Sequence, residues 1–384
     1  HGGGSRMTAD DEAYEILARW IKQGAQSQPD RTLQRIVIEP ANAVLRELDQ
    51  PIAFRVTANY SDGTQRDVTR WTVLQAEDDS AVEVNHDSAT ATLKRRGRHI
   101  VMARYLNQVI PVTLVAPYVD QRRGSLRGPT LDRGAPHDNS LIDRQIDATL
   151  ATLGISASPM IDDAGFLRRL TLDMTGRLPT VDQTKAFLSD SSPLRRSRLL
   201  DRLLASESLT EYWTFKWSKW LRMRPTVVSG AEPNDRQALK TYHSWLQDQI
   251  RRDVGFDSIA AQLLLASGDT RTNGPANFYR TTGDPLEQAE FVSELWMGTR
   301  MRFANCHNHP LDRWTQDDYH GLAAVFARVN QSAVVTAKPS GTVIHPRTLE
   351  PATVRIPGQR SGASDDELDP NIEPRVEFAR RLTA

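Results

Sequence analysis

Residues 284–326, DPLEQAEFVSELWMGTRMRFANCHNHPLDRWTQDDYHGLAAVF, read as two helices with a polar loop between them. The first helix opens on Asp284-Pro285-Leu286-Glu287: an aspartate cap, proline at the first helical position and glutamate placed to close a capping box. Helical spacing puts Ala289, Val292, Leu295 and Trp296 on its inward side. The second opens on Thr315-Gln316-Asp317-Asp318, again a capping-box pattern, with Tyr319, Leu322, Ala323 and Phe326 inward. The loop carries His307, His309 and Pro310. A histidine-rich loop held between two rigid apolar helices is a sound place for a cofactor.

The only cysteine of the chain, Cys306, lies in that loop. From Phe303 the run is F-x-x-C-H, the c-type haem attachment motif with phenylalanine in the place of the first cysteine. In that motif thiols form thioethers with the haem vinyl groups, and the adjacent histidine ligates iron. One thiol and one imidazole remain here, so at most one thioether can form. Three readings stay open on the residues. In one, haem c is bound covalently through Cys306 alone, with His307 as proximal ligand and Phe303 against the porphyrin. In another, His307 and His309, with Asp312 or Cys306, hold non-haem iron, copper or zinc. In the last, Cys306 is a small buried hydrophobe and the histidines hydrogen-bond the backbone. Under the haem reading the second axial ligand is open among Met301, Met297, His243, His320 and His345, with His309 as a distal polar group. His309, Arg313 and Tyr319 are the candidates for handling protons beside an open coordination position.

Outward from the loop, helices dominate residues 139–335. Asn139-Ser140 cap one carrying Ile142, Ile146, Leu150 and Leu153. A second runs from Phe166 to Gly176, a third includes Leu199 to Leu204, and two more lie near 236–253 and 257–267. Trp213, Trp217, Trp220 and Leu221 form a stripe at helical spacing, read as core ahead of an aromatic ligand platform. Upstream, in residues 31–118, the period changes to two. Ile36–Ile38, Ala53–Ala58, Ala81–Val84, Ile100–Ala103 and Val109–Val115 are short strands separated by turns such as Ser61-Asp62-Gly63, which predicts a β-sandwich. Residues 119–138 read as a linker. Residues 336–384 read as an extended Pro/Gly-rich tail with the acidic run Asp365–Asp369, its last residues, Pro374 to Leu382, opening a helix of a further domain. Residues 11–28 read as the terminal helix of an upstream domain, and residues 1–10 as a tag and linker remnant.

Basic and acidic residues balance, 48 against 48, so no global field draws the chain to nucleic acid. No apolar run approaches the ~20 residues a membrane helix needs. A single cysteine excludes an internal disulfide. The sequence has no P-loop, H-E-x-x-H or nucleophile elbow to support hydrolytic chemistry.

Four stretches carry a resemblance. Phe278-Tyr279-Arg280, Glu287–Phe291, CHNHPLDRWTQDDYHGLAAVFARV from Cys306, and Phe166 to Thr180 resemble the planctomycete cytochrome-c-like domain family of the second type, over residues 139–335. Tyr60-Ser61-Asp62-Gly63-Thr64 with Asp67-Val68-Thr69 and Trp71 resembles bacterial immunoglobulin-like domains of group 2. The first resemblance implies C-x-x-C-H where this chain has Phe303 to His307; Cys306 and His307 match, and Phe303 departs. Single-cysteine attachment with phenylalanine first is known from euglenozoan mitochondrial cytochromes c, so the departure is compatible with haem. Together the resemblances imply a multidomain chain, an immunoglobulin-like β-sandwich followed by a mostly α-helical domain carrying the haem-motif loop, as a fragment of a larger secreted protein. They further imply a periplasmic or extracellular setting, electron transfer or haem-based redox chemistry, and a redox partner or an upstream cytochrome domain. The competing reading is a haem-free surface scaffold that binds polysaccharide or protein.

Overall fold

The computed structural model describes residues 8–10, 12–26, 31–118, 141–223, 236–309, 312–356 and 372–383. The expected linker at 119–138, the acidic run 365–369 and most of the expected tag therefore lie outside the described residues. The chain divides into two compact units, residues 1–156 and 157–384: a sheet domain and then a mostly helical one.

In the first unit, helix α1 (Glu12–Lys22) ends at Gly24, left-handed at φ +89°. The strands follow as β1 (Leu33–Glu39), β2 (Asn42–Val44), β3 (Pro51–Ala53), β4 (Arg55–Tyr60), β5 (Gln65–Asp67), β6 (Val73–Ala76), β7 (Val82–Asn85), β8 (Thr90–Leu93), β9 (Gly97–Tyr105) and β10 (Gln108–Ala116). They form three sheets, in the orders β1-β4-β5, β2-β10-β9-β6 and β3-β8-β7. Strand alternation explains the core. Ile36 and Ile38 point in while Val37 faces out; Leu74 and Ala76, Ala91 and Leu93, and Val101 and Ala103 repeat the pattern. One apolar cluster takes residues from all three sheets. The longest pair, β9 with β10, runs antiparallel in unbroken register from Gln108↔Tyr105 to Ala116↔Gly97. The five strands read from sequence are present. The short β2, β5, β6 and β8, and β3 before Ala53, lie outside those five stretches.

Helix α2 (Leu141–Leu153) forms where its cap and apolar spacing predict, and the Leu153 carbonyl accepts from the Tyr118 N–H at 2.8 Å. None of its residues is buried, and Ile142 and Ile146 are exposed. The stripe read as inward therefore buries nothing among the described residues, and α2 lies in the same compact unit as the sheets.

The second unit holds α3 (Asp163–Thr175), α4 (Val181–Ser189), α5 (Arg195–Leu204), α6 (Glu207–Trp220), α7 (Arg236–Arg251), α8 (Phe256–Leu264), β11 (Gly268–Asp269), a 3-10 turn (Pro275–Thr281), α9 (Pro285–Trp296), a second 3-10 turn (Met301–Asn305), α10 (Gln316–Phe326), β12 (Val329–Asn330), β13 (Val334–Ala337) and α11 (Pro374–Leu382). A small cluster of Leu167, Phe187, Leu199 and Leu203 joins α3, α4 and α5. The main core takes Tyr242 and Leu246 from α7, Ile259 and Leu263 from α8, Phe291 and Val292 from α9, and Tyr319, Leu322 and Phe326 from α10. In the tryptophan stripe Leu221 is buried and Trp217 packs on the core, but Trp220 is exposed.

The C-terminal segment departs from the expectation of a tail leading elsewhere. Val335 and Val343 are core residues, and β13 pairs antiparallel with β11 and β12. Helix α11 sends Phe378 and Ala379 into the same core, with the Phe378 ring 6.0 Å from Phe326. Buried Arg375 donates to the Leu264 carbonyl at the end of α8 and to the Ala266 carbonyl just beyond it, and pairs with Glu373. Polarity hid this: PRVEFARRL shows few apolar residues, and of these Phe378 and Ala379 are buried while Val376 is exposed. Phe378→Ala is expected to destabilise the helical unit by about 3–5 kcal/mol in urea unfolding. A change near zero would show that α11 is not part of this core.

Candidate functional site

The cap of α9 differs in one detail from its sequence reading. Asp284 accepts from the Leu286 and Glu287 N–H groups at 2.8 and 2.9 Å, as a cap should. Glu287 reaches past Asp284 to the Gly283 N–H, at 2.7 Å, so the reciprocal bond of a capping box closes one residue early. At the other end Gly298, left-handed at φ +63°, terminates α9, and the Thr299 N–H returns to the Ser293 carbonyl at 3.0 Å. The chain then enters the 3-10 turn Met301–Asn305.

That turn sorts the motif residues. With three residues per turn, positions i and i+3 share a face. Met301 and Ala304 form the inward face, both 0% exposed within the main core. Phe303 and Cys306 form the outward face: Phe303 is 57% exposed and the Cys306 thiol is exposed. The expectation of Cys306 as a small buried hydrophobe is therefore not met. The Phe303 ring meets His309 edge-on, with centroids 5.3 Å apart at 86°. His307 is also exposed, and its Nδ1 lies 2.8 Å from the Asn308 carbonyl. A carbonyl only accepts, so Nδ1 carries the proton in this contact. Metal-ligating histidines are oriented in the same way, by donating the other ring N–H to a carbonyl.

Helix α10 holds the turn in place. Its Thr315–Asp318 capping box is complete, with Thr315 N–H to Asp318 Oδ2 at 2.9 Å and Asp318 N–H to Thr315 Oγ1 at 3.2 Å. Gln316 and His320, at i and i+4 on one face, both reach the Asn305 carbonyl: Gln316 Nε2 at 3.1 Å and His320 Nε2 at 3.2 Å. Asn308 Oδ1 accepts from the Gln316 N–H at 3.2 Å, and the His309 N–H donates to the Trp314 carbonyl at 2.8 Å. Sequence reasoning missed Gln316, Asn305 and Asn308. The i, i+4 spacing of Gln316 and His320 was the signal that could have pointed to a shared partner.

The other candidates are dispersed. Met301 is core, and Met297 packs against the core from the end of α9. His243 is exposed on α7. His320 and His345 are buried, with rings 5.1 Å apart, and His345 Nε2 stands 3.0 Å from Asp317 Oδ1. Arg313 stacks over the Trp314 ring at 4.6 Å. The Tyr319 hydroxyl donates to Glu290 at 2.8 Å; burial, and then that carboxylate, raise its pKa far above the ordinary tyrosine range. Tyr319 is thus a structural donor rather than a ready acid. Burial lowers the pKa of His309, against the opposing charge of Asp312. Among the described residues no group of three or more His, Cys, Asp or Glu side chains converges to hold a metal ion.

Burial, the largest influence, also lowers the pKa of His320 below its ordinary 6.5, opposed by the Asn305 carbonyl. The folded chain keeps this ring neutral where the unfolded chain would protonate it. Below 6.5 the unfolded state therefore binds more protons, and stability falls as the pH drops through that value toward the lower folded pKa. Melting temperatures from about pH 7.5 to about pH 5.5 should decline, and His320→Gln should flatten part of that decline. An identical slope in the variant would assign the loss to other groups.

Residues 141–331 match a family described as PSCyt2, protein of unknown function (DUF1549). No curated protein matches the chain. Over this stretch, just under half of its 384 residues, the chain is similar to a planctomycete cytochrome-c-like family.

Proposed function

We propose that the helical unit is a c-type haem domain with single-cysteine attachment, acting in electron transfer or haem-based redox chemistry outside the cytoplasm. The observation that carries this reading is the outward face of the 3-10 turn. Phe303 and Cys306, three residues apart, are both exposed there, followed by His307 with its Nδ1 proton committed to the Asn308 carbonyl. The residues fit the group. The exposed thiol can add across one vinyl double bond: the S–H bond breaks, a carbon–sulfur bond forms, and the proton goes to the other vinyl carbon, so no oxidant is consumed. His307 would be the residue to hold the iron from the next position. The exposed Phe303 ring supplies apolar cover where a second thioether would stand, and His309 meets its edge with a polar group whose neutral form burial favours.

Haem, when bound, supplies one-electron redox chemistry at a potential set by its axial ligands and surroundings. The chain's own contribution is placement, since the turn is gripped by α10 and its inner face is core. The sheet unit is read as an immunoglobulin-like spacer, and the partner as a redox protein or an upstream cytochrome domain. The balanced net charge gives no support to a nucleic-acid partner, and no helix of the described residues is long and apolar enough to cross a membrane.

Expression alongside haem-maturation factors tests the reading. The purified protein should show a Soret band that survives acid-acetone extraction, and a pyridine haemochrome shifted as for one remaining vinyl. Cys306→Ala should release the colour into the acetone. Phe303→Cys should move the haemochrome to its two-thioether position, since residue 303 faces the same side as residue 306. A colourless wild-type protein from the same expression sinks the proposal.

A further inference from the structure

His320 and His345 are 3% and 5% exposed, and neither has a part in the chemistry proposed above. Their partners place their protons. His320 Nε2 faces the Asn305 carbonyl at 3.2 Å; a carbonyl cannot donate, so Nε2 carries the proton and Nδ1 is an acceptor. That Nδ1 is buried without a hydrogen-bond partner. His345 Nδ1 accepts from the Arg347 N–H at 3.2 Å, so its proton is on Nε2. This Nε2 lies 3.0 Å from Asp317 Oδ1, but off the line of a hydrogen bond, and it too is buried without such a partner. The two rings stand 5.1 Å apart at 64°. At that spacing ring nitrogens turned toward each other come within hydrogen-bond reach. A buried acceptor thus sits beside a buried donor, and leaving both unmade is costly. A metal ion does not account for the pair. It would need a lone pair on His345 Nε2, while Nδ1 is already committed to accepting the Arg347 N–H and cannot take the displaced proton.

We propose that His345 shares its Nε2 proton between His320 Nδ1 and Asp317. Asp317, half-exposed and 3.4 Å from the Arg347 guanidinium, then joins the buried His345 and His320 in a relay that ends on the Asn305 carbonyl, one residue before Cys306. The acidic end orients His345, His345 fixes the tautomer and ring angle of His320, and His320 holds the turn from which Cys306 and His307 project. These are positioning residues: none touches the thiol or the proximal imidazole. The relay rests on the placement of the two rings beside Asp317 and on the two buried nitrogens left without partners, and its bearing on haem rests on the function proposed above. It also ties α10 to the segment around His345, which the Ile344–Pro351 bridge and the His345–Glu350 backbone bond hold in a turn.

Nitrogen-15 NMR of the histidine rings, on protein prepared without haem, tests the relay directly. Both rings should appear as neutral Nε2–H tautomers, with a scalar coupling between His345 Nε2 and His320 Nδ1 across the shared proton. His345→Phe should move the His320 Nδ1 resonance to the unbonded range. Absence of the coupling, or an Nδ1 resonance indifferent to His345→Phe, overturns the relay; the wild-type spectrum decides alone should the variant not fold. On haem-loaded protein His345→Phe should shift the midpoint potential while the thioether survives extraction, and an unchanged potential overturns the positioning role. A colourless wild-type protein that still shows the coupling upholds the relay and removes only the haem reading.

Discussion

One carbonyl oxygen organises the candidate site. Asn305 ends the 3-10 turn, and its carbonyl accepts from both Gln316 and His320 of α10. Chain-end carbonyls of a helical turn lack partners within the turn, so they are natural points of attachment. Here the attachment comes from a helix whose own start is fixed by a complete capping box. A cap of this kind is worth about 1 kcal/mol, and here it also sets where Gln316 and His320 stand. Through Asn305 that placement reaches Cys306 and His307.

The turn itself works by a division of faces. Met301 and Ala304 are anchored in a core shared with α7, α8, α9, α10 and α11, while Phe303 and Cys306 are left outside. The same three-residue period that buries one pair exposes the other. Exposure of the thiol is what attachment chemistry requires, and burial of its neighbours is what keeps it in one position.

The C-terminal helix shows how packing overrides composition. Nine residues with four charged side chains look like surface or linker, yet α11 buries Phe378, Ala379 and even Arg375. The arginine is tolerated because Glu373, the Leu264 carbonyl of α8 and the Ala266 carbonyl just beyond that helix meet its guanidinium. Helix α2 is the converse. Its apolar spacing is strong, but its stripe finds no core among the described residues. Periodicity reports which face is apolar; it does not report whether anything lies against it.

The sequence by itself determined the class of each half, because side-chain period two and period 3.6 are properties of neighbouring residues. It also determined the helices that bracket the motif, since caps act within four residues, and it singled out Cys306, Phe303 and His307 as a linear motif. Tertiary structure alone decided the rest. Grouping Gln316 and His320 on Asn305, pairing His320 with His345 and seating Phe378 on Phe326 all join residues that are distant in the chain. Such contacts depend on how helices pack, which local propensity does not encode.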